Sequence, residues 1–126
     1  MAKRIMIIFD SLKVEAQLND SHTASLISEN LPMVGSVNTW GDEIYFSIPL
    51  KAPLEQQARE KMEMGELAYW PPGEAFCVFF GPTPMSQGSE IRAASPVNPI
   101  GSVLGDPSVL KEVKRGTRVR IERQED

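Results

Sequence analysis

The chain has 126 residues and a formal net charge of -4, with 41% hydrophobic and 24% charged residues. This length belongs to a single domain, residues 1–126, burying roughly two-thirds of the surface its unfolded form exposes, and the composition excludes a disordered chain and a helical membrane protein. Basic residues gather at Lys3 and Arg4 and between Lys111 and Arg123, which leaves no broad basic face for nucleic acid.

The opening MAKRIMIIFD has an apolar run of only five residues, Ile5 to Phe9, too short for a signal-peptide core or a membrane span. A cytoplasmic protein that does not engage a membrane is expected. RIMIIF, with no polar alternation, suits a strand buried on both faces or one pairing early in the core. LKVEAQL alternates Leu12, Val14, Ala16 and Leu18 with Lys13, Glu15 and Gln17, predicting a half-buried strand after a hairpin turn at Asp10-Ser11. Asn19, Asp20 and Ser21 offer helix-capping oxygens, and HTASLISEN places Ala24, Ile27 and Leu31 on one helical face before Pro32 stops it. One short helix is expected there.

VGSVNTW and EIYFSI read as a hairpin closed near Gly41-Asp42, with Ile44, Phe46 and Ile48 facing one way and Tyr45 and Ser47 the other. The arm from Lys51 to Met64 has Leu54, Ala58 and Met62 at helical spacing between Pro53 and Gly65, and reads as loop plus a turn of helix. ELAYW and AFCVFF are aromatic-rich strands on either side of Pro71-Pro72-Gly73. Pro72-Gly73 suits the centre of a type II turn, where proline fixes φ and glycine accepts a positive one. Between Gly81 and Gly105 prolines recur, so this stretch reads as turns with short strands around EIRAA and IGSVLG. At the end, Arg118 and Arg120 alternate with Val119 and Ile121, as on the wet face of a terminal strand. KMEMGELAYW and EVKRGTRVRI echo each other faintly, too little for a repeat architecture. The whole gives a mainly β protein of about eight strands with one short helix, and closure into a barrel would remove the exposed sheet edges.

Three stretches, TWGDEIYFSIP, GELAYWPPGEAFCVFFGPTPMS and SPVNPIGSVLGD, resemble those of a small prokaryotic cyclophilin-like family of unknown function. The resemblance implies a closed, eight-stranded cyclophilin-like barrel and no substrate. Cyclophilins proper are prolyl isomerases whose active segment resembles a Phe-His-Arg run followed by Gln-Gly-Gly-Asp. Neither run is present; SQGSE keeps only Gln87 and Gly88, so no isomerase residue carries over.

The residues themselves offer several chemistries. Twisting a prolyl amide needs no nucleophile, only an apolar pocket and a donor aimed at the imide nitrogen. Arg92 beside Tyr69, Trp70 and Phe76, with Phe80, would supply both at a barrel rim; the plainer alternative makes Arg92 a surface residue and Trp70 a plug. Cys77 and His22 are the sole thiol and imidazole, excluding an internal disulfide and most transition-metal ligand sets. Cys77 lies in the most apolar strand, where a thiol behaves as a small hydrophobe. Asp42, Glu43, Glu66, Glu74 and Glu90 lie near turns and read as solvated carboxylates. GSVLGD lacks the lysine of a phosphate loop. Neither metal nor cofactor is indicated. Three functions remain: a barrel binding a small molecule or extended peptide at a rim lined by Tyr69, Trp70, Phe76 and Arg92; a diverged peptidyl-prolyl cis-trans isomerase; or a non-catalytic interaction subunit, since similar barrels occur in larger amide- and urea-processing enzymes. A protein partner or homodimer is compatible with any of them.

Overall fold

Apolar alternation builds the first pair of strands. In the computed structural model, which describes residues 3–10 and 12–124, β1 (Lys3–Phe9) and β2 (Leu12–Leu18) are antiparallel, with Ile5 opposite Ala16 and Ile7 opposite Val14. Ile5, Ile7, Phe9, Val14, Ala16 and Leu18 are buried together, while Met6 and Ile8 are only half-buried. β1 is thus buried chiefly on one face, which excludes the first of the two readings of its unbroken apolar run, burial on both faces. Asp10 adopts the left-handed conformation, φ 56, after β1; its expected turn partner Ser11 lies outside the described residues.

α1 (His22–Glu29) is the expected helix, capped by Ser21, whose hydroxyl oxygen accepts from the Ala24 N–H at 3.2 Å. Ala24 and Ile27 join the core, and the chain leaves through the cis Leu31–Pro32 peptide. VGSVNTW then splits. β3 (Met33–Ser36) pairs with β10 (Arg118–Arg123), whereas β4 (Asn38–Thr39) pairs with β5 (Glu43–Ser47) across Gly41-Asp42, Gly41 having φ 62. The buried Val37 joins the two pieces.

The arm forms no helix. Residues 51–58 are irregular, and β6 (Arg59–Met62) pairs with β9 (Ile91–Val103). Leu54 is exposed and Met62 buried, so the helical spacing of these apolar residues marks no common face. β7 (Glu66–Trp70) and β8 (Ala75–Phe79) are the strands flanking the Pro-Pro-Gly corner.

The proline-rich stretch also differs from expectation, because β9 is one strand of 13 residues running through Pro96 and Pro99. Proline lacks the N–H a ladder needs, and β9 tolerates it where pairing slips. Leu67 faces Gly101 while Ala68 faces Pro99, and the β6 register shifts between the Arg59–Val97 and Lys61–Arg92 pairs. A 3-10 turn, Pro107–Glu112, then buries Leu110 and leads to β10, on which Val119 and Ile121 are buried between exposed arginines.

The sheet has ten strands, not eight, and is not closed into a barrel. Its order is β3-β10-β1-β2-β9-β7-β8-β5-β4, with β6 attached to β9 off this path. The end strands are consecutive in the chain, so β3 and β4 continue one another about Val37 and cannot lie side by side. Gly35 instead packs over Phe46, where an added Cβ would stand 3.1 Å from the ring. The edges are handled by shortness, four and two residues.

The two faces of the sheet bury different sets. Leu67, Tyr69, Phe76, Val78, Ile44 and Phe46 belong to the main core, with Phe46 and Phe76 stacked at 5.2 Å between ring centroids. Ala68, Ala75, Cys77 and Phe79, which alternate with them along β7 and β8, meet Ile91, Ala93 and Val97 of β9 and Met62 of β6 in a second cluster. β6 and the N-terminal half of β9 therefore cover the outer face of β7, β8 and β5.

Candidate functional site

That covering leaves a cavity of about 200 Å³ lined by Trp40, Glu43, Tyr45, Trp70, Ala93, Ala94 and Val97. Strand alternation explains the lining: Glu43 and Tyr45 share one face of β5, opposite Ile44 and Phe46. Trp40 closes the β4–β5 turn, with backbone hydrogen bonds to Glu43 in both directions, 3.0 and 3.2 Å. Small residues of β9 form the remaining wall. The walls are thus two tryptophans and a tyrosine, with one carboxyl among them.

Trp70 owes its position to the corner after it. Pro71–Gly73 is a 3-10 turn, not a type II turn, and the left-handed residue is Glu74 at φ 48, ψ 47. Gly73 is required for closeness rather than for φ: an added Cβ would lie 2.8 Å from the six-membered ring of Trp70. On its other side Trp70 Nε1 donates to Ser95 Oγ at 2.7 Å. The indole is held between its own corner and β9.

Glu43 differs most from expectation. It is not a solvated turn carboxylate but 7% exposed, and burial pushes its pKa up to about 7, opposed by a hydrogen bond with the Cys77 side chain. Cys77 is wholly surrounded, and burial, then the neighbouring Glu43 charge, raises its thiol pKa. It is a poor nucleophile in this state. His22 opens α1.

Of the four aromatic and basic residues singled out from the sequence, Trp70 alone lines the cavity. Tyr69, its neighbour on β7, points to the opposite face, where its hydroxyl donates to Leu50 O at 2.7 Å and accepts from the Ala52 N–H at 3.3 Å. Phe76 lies on that same inner side. The Arg92 guanidinium is taken by Glu90, Nε to Oε2 at 2.8 Å, and by Glu60, Nη1 to Oε1 at 3.2 Å; Arg92 holds the Glu90 carboxyl below its usual range. With no closed barrel there is no rim to gather all four. Trp40, Glu43, Tyr45, Ala93, Ala94 and Val97 were not singled out as pocket residues. The placement of Glu43 and Tyr45 on one strand face was readable from EIYFSI, but the burial of that face depends on β9 folding over it.

The irregular first part of the arm, residues 51–58, is pinned elsewhere. Glu55 Oε2 accepts from the Thr23 N–H at 2.9 Å and from the Thr23 hydroxyl, while the Glu55 N–H donates to Asn98 Oδ1 at 2.8 Å. The buried Asn98 amide donates to Thr23 Oγ1 at 3.1 Å and to Pro53 O at 2.9 Å. A carboxylate at the N-terminal turn of α1 meets free N–H groups and the positive end of the helix dipole. Among the described residues no group of three or more His, Cys, Asp or Glu side chains is arranged to hold a metal ion, and no helix is long and apolar enough to cross a membrane.

Comparison with known proteins places this geometry. The structure is similar to the solution structure of the hypothetical protein AF2241 from Archaeoglobus fulgidus, at 38% sequence identity and a TM-score of 0.82, covering 97% of this chain and 95% of that one. It shares its fold with McbB, solved in complex with tryptophan, at 17% identity and a TM-score of 0.68; this chain is covered over 97% of its length and spans 45% of McbB. No curated protein matches. The family model described as cyclophilin-like matches residues 3–122. With that match over nearly its whole length, the chain belongs to the cyclophilin-like family, whose fold it carries as an open sheet.

Proposed function

We propose that this protein is a binding module whose ligand, a small molecule with an apolar or aromatic body, enters the cavity between Trp40, Tyr45 and Trp70. The observation that carries this reading is a largely apolar cavity with a single desolvated carboxyl in its wall, the combination of greasy lining and sparse polar groups that marks ligand sites. Drug-sized ligands use pockets of about 300–1,000 Å³; a cavity of about 200 Å³ suits a smaller molecule, or one side chain of an extended peptide. The isomerase alternative gains no support, because it needs a cationic donor facing aromatics and the Arg92 guanidinium is held by Glu60 and Glu90.

The test is a set of small neutral compounds, including indole, phenol and cyclohexanol, read by tryptophan fluorescence and thermal shift. Saturable changes are expected for the native protein and should be lost in Trp70→Ala, with far-UV circular dichroism confirming that the variant is folded. If no compound in the set perturbs either signal, the reading is wrong.

A further inference from the structure

The aromatic walls and the carboxyl raise a question of ligand chemistry. A purely apolar ligand would use Trp40, Tyr45 and Trp70 but would leave the buried Glu43 carboxyl, beside the Cys77 thiol, with no charged partner in the cavity wall. A buried carboxyl surrounded by apolar atoms resists ionisation, and an arriving positive charge would relieve that resistance. Aromatic faces attract cations through the ring quadrupole, tryptophan most strongly, and the attraction grows where water is excluded. Both features therefore favour a ligand of the same charge.

Resting on the binding reading above, we propose that the cavity selects a small substituted ammonium ion, whose alkyl groups contact the Trp40, Tyr45 and Trp70 rings while its charge is balanced by Glu43 as the carboxylate. The remaining lining is uncharged: β7 contributes only Trp70, and β9 contributes Ala93, Ala94 and Val97. The titratable groups facing Glu43 are Cys77 on β8 and Tyr45 on its own strand. No lysine or arginine lines the cavity to compete with the ligand. Binding is then coupled to release of the Glu43 proton. Since burial places that ionisation near pH 7, the carboxylate is scarce at pH 6 and predominant at pH 8, and cation affinity should rise about tenfold between them.

Titration calorimetry with choline and its neutral isostere 3,3-dimethyl-1-butanol tests this. At pH 8 choline should bind at least tenfold more tightly than the isostere, and its affinity should fall about tenfold at pH 6 while that of the isostere stays level. Repeating the pH 6 titration in two buffers of different ionisation enthalpy should show most of a proton released per choline bound. Glu43→Gln should erase the preference for choline and its pH dependence; should this variant fail to fold, the isostere and proton-release comparisons on the native protein still decide. Equal binding of the two compounds at pH 8, or choline binding without proton release, overturns the cation assignment and leaves the cavity reading standing. Failure of choline, the isostere and all the neutral compounds overturns both.

Discussion

Glu43 stores an imbalance that is measurable without any ligand. Folding raises its pKa from the ordinary 4.5 to about 7, so over that interval the folded chain keeps a proton that the unfolded chain has lost. Stability is greatest below pH 4.5 as far as this group is concerned, falls as the pH rises to 7, and is level above, a loss of roughly 3 kcal/mol. Urea unfolding of the native protein and Glu43→Gln at pH 5 and pH 8 should show that the variant lacks this pH-dependent component. Gly73 gives a second test at this scale. A methyl group there would push the Trp70 indole off its seat, so Gly73→Ala should alter the tryptophan emission maximum and cost roughly 1–2 kcal/mol, whereas the exposed Gly88, with nothing within 4 Å of an added Cβ, should leave the emission unchanged when replaced. The sequence showed that a stiff corner follows Trp70. It could not show that the glycine serves contact rather than φ, because that depends on where the ring folds back.

Among the elements, the arm and β9 illustrate what local pattern reveals and what it hides. Alternation identified β2, β5 and β10, whose period is visible in a few residues, whereas β7 and β8, buried on both faces, were legible from their aromatic content and the Pro and Gly that bound them. β6 and the length of β9 were hidden: EIRAA and IGSVLG read as two short strands, β6 has no clean period, and the prolines that join those strands into β9 are admitted only by slips in its partners' registers. The candidate site inherits this difficulty: Trp70 and the EIRAA strand were each legible, and their meeting across the cavity was not. Tyr69 and Trp70 are adjacent on one strand, and alternation alone assigns them to opposite sides. The arm's attachment can be tested directly. Asn98→Ala would remove an amide that joins Glu55, Thr23 and Pro53 and leave buried partners unsatisfied, at a cost of roughly 2–3 kcal/mol. Limited proteolysis should then cut within residues 51–58, and no such cut is expected in the native protein under the same conditions.

For the whole molecule, openness of the sheet places unusual weight on one junction. β2 meets β9 over only three paired positions, Ala16–Val103, Gln17–Ser102 and Leu18–Gly101, and this ladder links the β3-β10-β1-β2 side to the β7-β8-β5-β4 side. A Cβ on Gly101 would overlap the Gln17 carbonyl oxygen, and its φ of 156 disfavours other residues. Gly101→Ala should therefore cost roughly 3 kcal/mol and broaden the urea transition, as the two sides begin to separate independently. An unchanged midpoint and slope would show that the other links between the sides, the Val37 connection and the Asn19–Ile100 and Leu104–Glu15 backbone hydrogen bonds among them, hold without this ladder. Such separation would uncover the main-core face of β8, Phe76 and Val78, in a strand whose five residues Ala75–Phe79 are all buried in the native state. AFCVFF has high β propensity, no charge and no proline, the composition of a segment that self-associates into fibrils when it escapes its fold. Pro71 and Pro72 stand before it and Pro82 and Pro84 after it, in the positions of gatekeepers that interrupt growth of an intermolecular strand. The chain's tolerance of prolonged storage should accordingly be governed by how often this ribbon is released, and thioflavin fluorescence of the Gly101 variant should rise well before that of the native protein.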